Sequence, residues 1–213
     1  MRSIFGAAAA SIALLLGLAQ PSHAGLMLEL TDGTTTDVVP GSTGIAAFFG
    51  AIGNFAANVT TGISKPMIGS ATDPILALNS IDVTAMGGGA LTIELTDTDF
   101  IGAGGVVQAV NSVDGLLTAG NFSLSTYLDC GNNPFGQTTK LTSQTSLTGS
   151  ASSFVNGCQG NYSLTQVAVL TMPGGAVFGG TSVLTVPEPS TVAIFGVGLL
   201  GLGLALRRKA KAA

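Results

Sequence analysis

The two closest carboxylates in the chain are Asp97 and Asp99, separated only by Thr98. On a β-strand, side chains two positions apart lie on the same face, so both carboxylates are expected to point the same way. Their oxygens suit Ca²⁺, with Asp73 or Asp114 as further ligands. Calcium loops usually add another carboxylate and a glycine at fixed spacing, and neither is present here. A solvated turn is therefore the favoured interpretation, and no metal site is predicted.

Enzymatic chemistry has few residues to work with in this chain. Glycosidases place two carboxyl groups on either side of the scissile bond, which neighbours such as Asp97 and Asp99 do poorly. The only histidine is His23, inside a segment predicted to be removed, and the chain has no tryptophan. A Ser-His-Asp or Cys-His mechanism therefore lacks its usual base. We predict no catalytic residues, no cofactor and no enzyme.

Aromatic residues give no clear sign of a sugar-binding platform. The chain has two tyrosines, Tyr127 and Tyr162. Rings that bind sugars usually occur as a larger exposed set, so we interpret both tyrosines as partly buried sheet residues.

Cys130 and Cys158 are the only cysteines. An even pair in an exported chain predicts a disulfide, with two free thiols as the alternative. The bridge would close a loop rich in Gly, Ser, Thr and Asn and stabilise it by about 3 to 4 kcal/mol in the chain-entropy model. Two cysteines without histidine cannot form a four-ligand zinc site.

Short runs of strand-forming residues recur through residues 25–172. The clearest are Leu26 to Leu30, Ile75 to Val83, Leu91 to Leu95, Phe122 to Leu128 and Tyr162 to Thr171. Several alternate apolar and polar residues, which places one face on a core and the other in solvent. Turn signals separate them, at Thr31 to Gly33, Gly87 to Gly89, Gly102 to Gly105, Asp114-Gly115 and Pro173 to Gly175. The pattern predicts an all-β fold, an antiparallel, jelly-roll-like β-sandwich, with residues 173–186 as a linker or last strand.

One segment allows two interpretations. Ile45, Phe48, Phe49 and Ile52 have helical spacing, but the glycines around them weaken a helix by up to about 1 kcal/mol each. We therefore predict two strands around residues 50–53.

The charge distribution excludes one class of partner. Between Gly25 and Val186, Lys65 and Lys140 face ten carboxylates, a net charge of −8. Nucleic-acid binding requires clustered Lys and Arg, so we predict none.

Residues 1–24 have the pattern of a secretory signal peptide. Arg2 provides the positive start, an apolar stretch follows, and Pro21 precedes small residues at a cleavage site. Signal peptidase is expected to cut between Ala24 and Gly25. An uncleaved membrane anchor is the alternative.

The C-terminal segment combines three features in a fixed order. Pro187, Glu188 and Pro189 form a stiff spacer, because proline is accepted only at the start of a following helix. Thr191 to Leu206 then spans about 24 Å as a helix, against a hydrocarbon core of about 30 Å. The cations that follow are expected to stay in the cytoplasm by the positive-inside rule: Arg207, Arg208, Lys209 and Lys211. A permanent transmembrane anchor is the alternative.

This tail, residues 187–213, resembles the PEP-CTERM sorting signal of Gram-negative bacteria. The same short tail is also labelled an ice-binding protein C-terminal domain, which implies nothing about a ligand. The resemblance implies cleavage near the motif by an exosortase, a transient inner-membrane intermediate and delivery to the cell surface or beyond. Three internal segments also resemble domains found ahead of such tails, which have no established activity: residues 58–62, 78–80 and 96–100.

Proteins with this tail accompany exopolysaccharide production, so the resemblance implies polysaccharide as a partner. The expected function is a structural or adhesive component of an exopolysaccharide matrix. A carbohydrate-binding module, with or without calcium, is the second hypothesis. A carboxylate-based glycan hydrolase using Asp97 or Asp99 is the third.

Overall fold

A computed structural model describes residues 25–187, and these residues form an all-β protein with antiparallel pairing. The all-β, antiparallel part of the predicted fold class is therefore confirmed. The predicted signal peptide and C-terminal helix, with Ala24, Glu188, Pro189 and the basic cluster, lie outside the described residues. The strands are Met27–Thr31 (β1), Thr36–Pro40 (β2), Ile45–Ile52 (β3), Phe55–Ile63 (β4), Ile75–Ala85 (β5), Gly89–Ala103 (β6), Val106–Leu117 (β7), Asn121–Asp129 (β8), Thr139–Gln144 (β9), Thr148–Asn156 (β10), Gln159–Met172 (β11) and Val177–Thr185 (β12).

The strands form two six-stranded sheets. Sheet 1 has the order β2-β1-β6-β11-β8-β9, and sheet 2 has the order β10-β7-β12-β5-β4-β3. The eight strands from β5 to β12 have the order of a jelly roll. Consecutive strands change sheet, except β8 and β9, which pair with each other in sheet 1. The hairpin β1-β2 extends sheet 1 beside β6, and the hairpin β3-β4 extends sheet 2 beside β5.

The core lies between the two sheets and is built by period-two alternation. Leu91, Ile93 and Leu95 of β6 are fully buried, and the residues between them are partly exposed. Side chains from both sheets join one apolar cluster, in which the rings of Phe122 and Phe178 stack with centroids 5.5 Å apart. The alternation seen in the sequence thus fixes which face of each strand is inside.

The ambiguous segment forms two strands, β3 and β4, as predicted. One turn prediction is wrong: Asp114-Gly115 lies inside β7, which runs on to Leu117. Gly115 pairs with Gly180 of β12, and a Cβ there would meet the Gly179 carbonyl oxygen at 3.1 Å. The glycine at this position serves close packing of two strands rather than a change of direction.

Residues 173–186 contain a central strand. The chain turns at Pro173 to Gly175, and β12 then inserts between β7 and β5. Val186 is still buried, and its N–H donates to the Pro74 carbonyl oxygen at 3.2 Å. The folded domain therefore continues to the residue before Pro187.

The predicted disulfide between Cys130 and Cys158 is present, and no described cysteine is free. It ties the β8–β9 connection to the turn between β10 and β11. Cys158 is buried in the core cluster.

Replacing both cysteines with serine should lower the free energy of unfolding by about 3 to 4 kcal/mol, because the 28-residue separation adds loop entropy to the unfolded chain. Urea unfolding of the oxidised protein and of the double variant measures the difference. Reduced wild-type protein is the control and should match the variant. Equal midpoints for the oxidised protein and the variant would contradict the prediction.

Candidate functional site

Asp97 lies in the core and forms an ion pair with Lys65. The inward alternation of β6 continues past Leu95, so the Asp97 side chain is fully buried, and that of Lys65 is 5% exposed. Lys65 Nζ lies 2.8 Å from Asp97 Oδ2, which also accepts a hydrogen bond from Ser64 Oγ at 2.6 Å. Nζ donates to the Thr98 carbonyl oxygen and lies 4.0 Å from the centroid of the Phe100 ring.

The protein does not provide hydrogen-bond partners for both oxygens of the Asp97 carboxylate. Burial raises the pKa of Asp97, and the Lys65 and Ser64 hydrogen bonds only partly oppose it. Oδ1 has no hydrogen-bond partner, although the Thr98 N–H interacts weakly with the carboxylate. Asp97 is therefore closed off from any substrate in solution, and it is not part of a solvated turn.

Asp99 does not share a face with Asp97, so that prediction is wrong. Asp99 has a φ of 61°, and the register between β6 and β11 shifts beside it, between Tyr162 and Leu164. A β-bulge breaks the alternation and turns the side chain away from the core. Asn132 completes the arrangement: its Oδ1 accepts from the Asp99 N–H and its Nδ2 donates to Asp99 Oδ1, both at 2.8 Å.

The β8–β9 connection is organised around a second carboxylate, Asp129. Its oxygens accept hydrogen bonds from the N–H and Nδ2 of Asn133, the Gly131 N–H and Thr138 Oγ1, at 2.8 to 3.2 Å. Desolvation alone would raise the pKa of Asp129, but these donors together lower it. Asp129 is a structural anion that holds the loop against sheet 1.

The other predicted metal ligands do not join Asp97 and Asp99. Asp114 lies on β7 in the other sheet, and Asp73 lies in the connection between β4 and β5. Among residues 25–187, no three His, Cys, Asp or Glu side chains come together in a way that could hold a metal ion.

The two tyrosines differ in their surroundings. Tyr162 is buried, with its ring centroid 5.8 Å from that of Phe100. Tyr127 is half-buried on the outer face of sheet 1, and Lys140 Nζ lies 5.7 Å from its ring centroid. Neither ring offers an open platform.

A carboxylate pair missed by sequence reasoning lies on the outer face of sheet 1. Glu29 of β1 is directly opposite Glu94 of β6. Gln137 from the β8–β9 connection donates to Glu94 Oε2 at 3.2 Å. Burial and the charge of Glu29 raise the pKa of Glu94. The residues are 65 positions apart in sequence, so only the strand register could reveal the pair.

The outer face of sheet 2 carries a groove of about 330 Å³ that combines an open aromatic ring with polar side chains. Phe49 is 86% exposed, whereas its neighbour Phe48 is in the core. Cross-strand pairing sets Phe49 beside Asn58 and Asn58 beside Asp82. The remaining lining is small, with Gly50, Ala51, Ala56, Ala57 and Thr84.

A larger groove of about 520 Å³ lies on sheet 1, where hydroxyl and aliphatic side chains line it. Its only aromatic residue, Phe122, is buried. The groove on sheet 2 is the better candidate binding site, because it pairs an exposed ring with an amide and a carboxylate. We call it the Phe49 groove.

Replacing Glu94 with Gln should make stability less dependent on pH. The Glu94 carboxyl has a pKa near 4.5 in the unfolded chain and a higher pKa in the folded protein. Between these two pKa values the native state binds more protons than the unfolded state, so the protein loses stability as pH rises through that window. Urea unfolding should show equal stability of the two proteins near pH 4 and an advantage for the variant of less than about 1 kcal/mol at pH 7. In a protein that already carries Glu29→Gln, the advantage gained from Glu94→Gln should be smaller, because one cause of the raised Glu94 pKa is gone. An advantage independent of pH would contradict this.

Comparisons with solved structures give remote similarities. The C-terminal CBM6 of LamC, a marine laminarinase from Zobellia galactanivorans, is 16% identical, with 48% of this chain and 78% of that chain covered and a TM-score of 0.23. The adhesin domain of Epf from Streptococcus pyogenes is 9% identical, with 76% and 57% covered and a TM-score of 0.41. A family 35 carbohydrate-binding module from Clostridium thermocellum is 14% identical, with 65% and 96% covered and a TM-score of 0.28. These values are too low to transfer a ligand to this chain.

No curated protein shows significant sequence similarity to the chain. Within residues 25–187, none of the structure is a helix of the length and hydropathy needed to cross a membrane. The C-terminal residues, in contrast, match a family model, and the match begins at Thr185, the last residue of β12. A motif of this kind implies export, membrane-anchored transit and processing by an exosortase. Residues 185–209 of this chain are a PEP-CTERM protein-sorting motif.

Proposed function

We propose that the chain is a non-enzymatic surface protein that an exosortase processes and releases, and that its sandwich domain is a structural or adhesive component of an exopolysaccharide matrix. The observation that carries the proposal is the direct junction between a complete sandwich and the sorting motif. Among residues 25–187, Val186 is the last buried residue, and Pro187 is exposed. Cleavage near Pro189 would therefore release the whole folded domain.

The position of the carboxylates supports the non-enzymatic part of the proposal. Asp97 is enclosed with Lys65, and Asp99 is engaged by Asn132. Neither is arranged to flank a glycosidic bond across a cleft.

We assign glycan binding to the Phe49 groove. The exposed Phe49 ring can stack against the C–H face of a sugar, while Asn58 and Asp82 offer donors and acceptors to its hydroxyl groups. The net charge of −8 between Gly25 and Val186 repels anionic polymers, so a neutral polysaccharide is the preferred partner. This assignment is also the form that the carbohydrate-binding hypothesis takes for this chain. Measuring polysaccharide binding with added Ca²⁺ and with a chelator tests whether calcium assists.

Sorting predicts a processed product in the native host. Intact mass and cell fractionation should show loss of residues 1–24 and of the segment after about Pro189, with the product outside the inner membrane. Glu188→Ala should retain the tail and remain in the inner membrane. A native protein that keeps its C-terminal segment in the inner membrane would instead be a permanently anchored protein, and the matrix proposal would fail.

Glycan binding predicts a local effect of one aromatic side chain. Phe49→Ala should reduce retention on neutral polysaccharide in affinity electrophoresis by about tenfold or more, because covering an exposed Phe side chain contributes about 1.5 to 3 kcal/mol. Phe154→Ala is the matched control: Phe154 is 70% exposed and lies on β10, the opposite edge strand of sheet 2. Equal retention of the Phe49 variant and the wild type would exclude the groove.

A further inference from the structure

The geometry points to a covalent cross-link between the two sheets: an amide bond formed by condensation of Lys65 Nζ with the side-chain carboxyl carbon of Asp97. The reaction would convert the buried ion pair into a neutral linkage. It would join the connection that follows β4 of sheet 2 to β6 of sheet 1.

Proximity is the first argument. Lys65 Nζ lies 2.8 Å from Oδ2, which is bonded directly to the carboxyl carbon. Contact between an amine and the carboxyl group that it attacks replaces an encounter in solution, and such placement removes much of the entropic barrier. The Phe100 ring, 4.0 Å from Nζ at its centroid, and the Thr98 carbonyl group hold the amine in place.

Exclusion of water is the second argument. The Asp97 side chain is fully buried, and the Lys65 side chain is nearly so. Burial of two charges has a large desolvation cost, which their attraction offsets only when all remaining polar atoms are satisfied. Asp97 Oδ1 has no hydrogen-bond partner. Loss of both charges would remove this cost, and the absence of bulk water opposes hydrolysis of the amide.

The atoms and charges balance without an added reactant. Transfer of one proton from Nζ to Oδ2 through their hydrogen bond gives an uncharged amine and carboxylic acid. The amine lone pair attacks the carboxyl carbon, a C–N bond forms, and the bond from that carbon to Oδ2 breaks. Oδ2 leaves as water with two protons from Nζ. Ser64 Oγ, 2.6 Å from Oδ2, donates a hydrogen bond to the oxygen that leaves.

The surrounding groups also suit the product. Oδ1 becomes the carbonyl oxygen of the amide and no longer carries charge. The Thr98 carbonyl oxygen, which accepts a hydrogen bond from Nζ, remains as acceptor for the new amide N–H. One donor and one acceptor therefore stay matched after the water leaves.

The mass of the purified processed protein, denatured and reduced, tests the proposal. We expect the main species to be lighter than its processed sequence by one water molecule. Chymotryptic fragments should include a branched peptide that joins Lys65 to Asp97. Trypsin is unsuitable, because Lys65 and Lys140 are the only basic residues between Gly25 and Val186.

Lys65→Arg is the matched control. Arginine keeps the positive charge, but its guanidinium group stays protonated and is not a nucleophile. We expect this variant to have the full mass of its sequence. The proposal is overturned if the wild-type protein shows its full mass, or if the variant also lacks one water molecule. Because the wild-type mass alone decides the first outcome, poor folding of the variant would not rescue the proposal.

Discussion

The pairing of β6 with β11 is the interaction on which the other features depend. It runs from Gly89 to Ala103 on one strand and from Gln159 to Met172 on the other, with one irregularity beside Asp99. Before the bulge, alternation buries every second side chain of β6 from Leu91 to Asp97. After it, Asp99 faces the β8–β9 connection instead. A shift of one residue on this strand thus separates a core ion pair from a surface hydrogen-bond network.

The same dependence on register explains how far the sequence could be interpreted. Alternation predicted the strand at Leu91 to Leu95, because the pattern lies within a few neighbouring residues. The disulfide was predictable because the chain has only two cysteines and therefore only one possible pairing. The partner of Asp97 is Lys65, 32 residues away, and no local pattern indicates it. The sequence alone does not distinguish Phe48 from Phe49, which are adjacent residues of the same type. The pairing of β3 with β4 places Phe49 on the exposed face. The bulge at Asp99 likewise depends on Asn132, which is distant in sequence.

Charge is distributed so that the domain surface stays acidic. Lys65 neutralises Asp97 inside the core, so Lys140 is the remaining lysine facing nine other carboxylates among the described residues. Such a surface keeps domains apart in solution and disfavours anionic partners. The Phe49 groove, with its exposed ring and polar side chains, offers a contact that does not require an opposite charge on the partner. A glycan contact of this kind would tolerate changes in salt, because it does not depend on exposed ion pairs.

Both ends of the described chain meet at the end of the sandwich that holds the ion pair. Gly25 packs against Thr98 so closely that a Cβ would overlap its hydroxyl oxygen, and Val186 bonds to Pro74 in the β4–β5 connection. The same connection contains Lys65, and its Ala71 carbonyl oxygen accepts a hydrogen bond from the Ile101 N–H of β6. With the proposed sorting, a pull on the tail would reach the connection that contains Lys65 through the bond from Val186 to Pro74. An amide between them would transmit that pull to sheet 1 through a covalent bond, where an ion pair would transmit it only through hydrogen bonds.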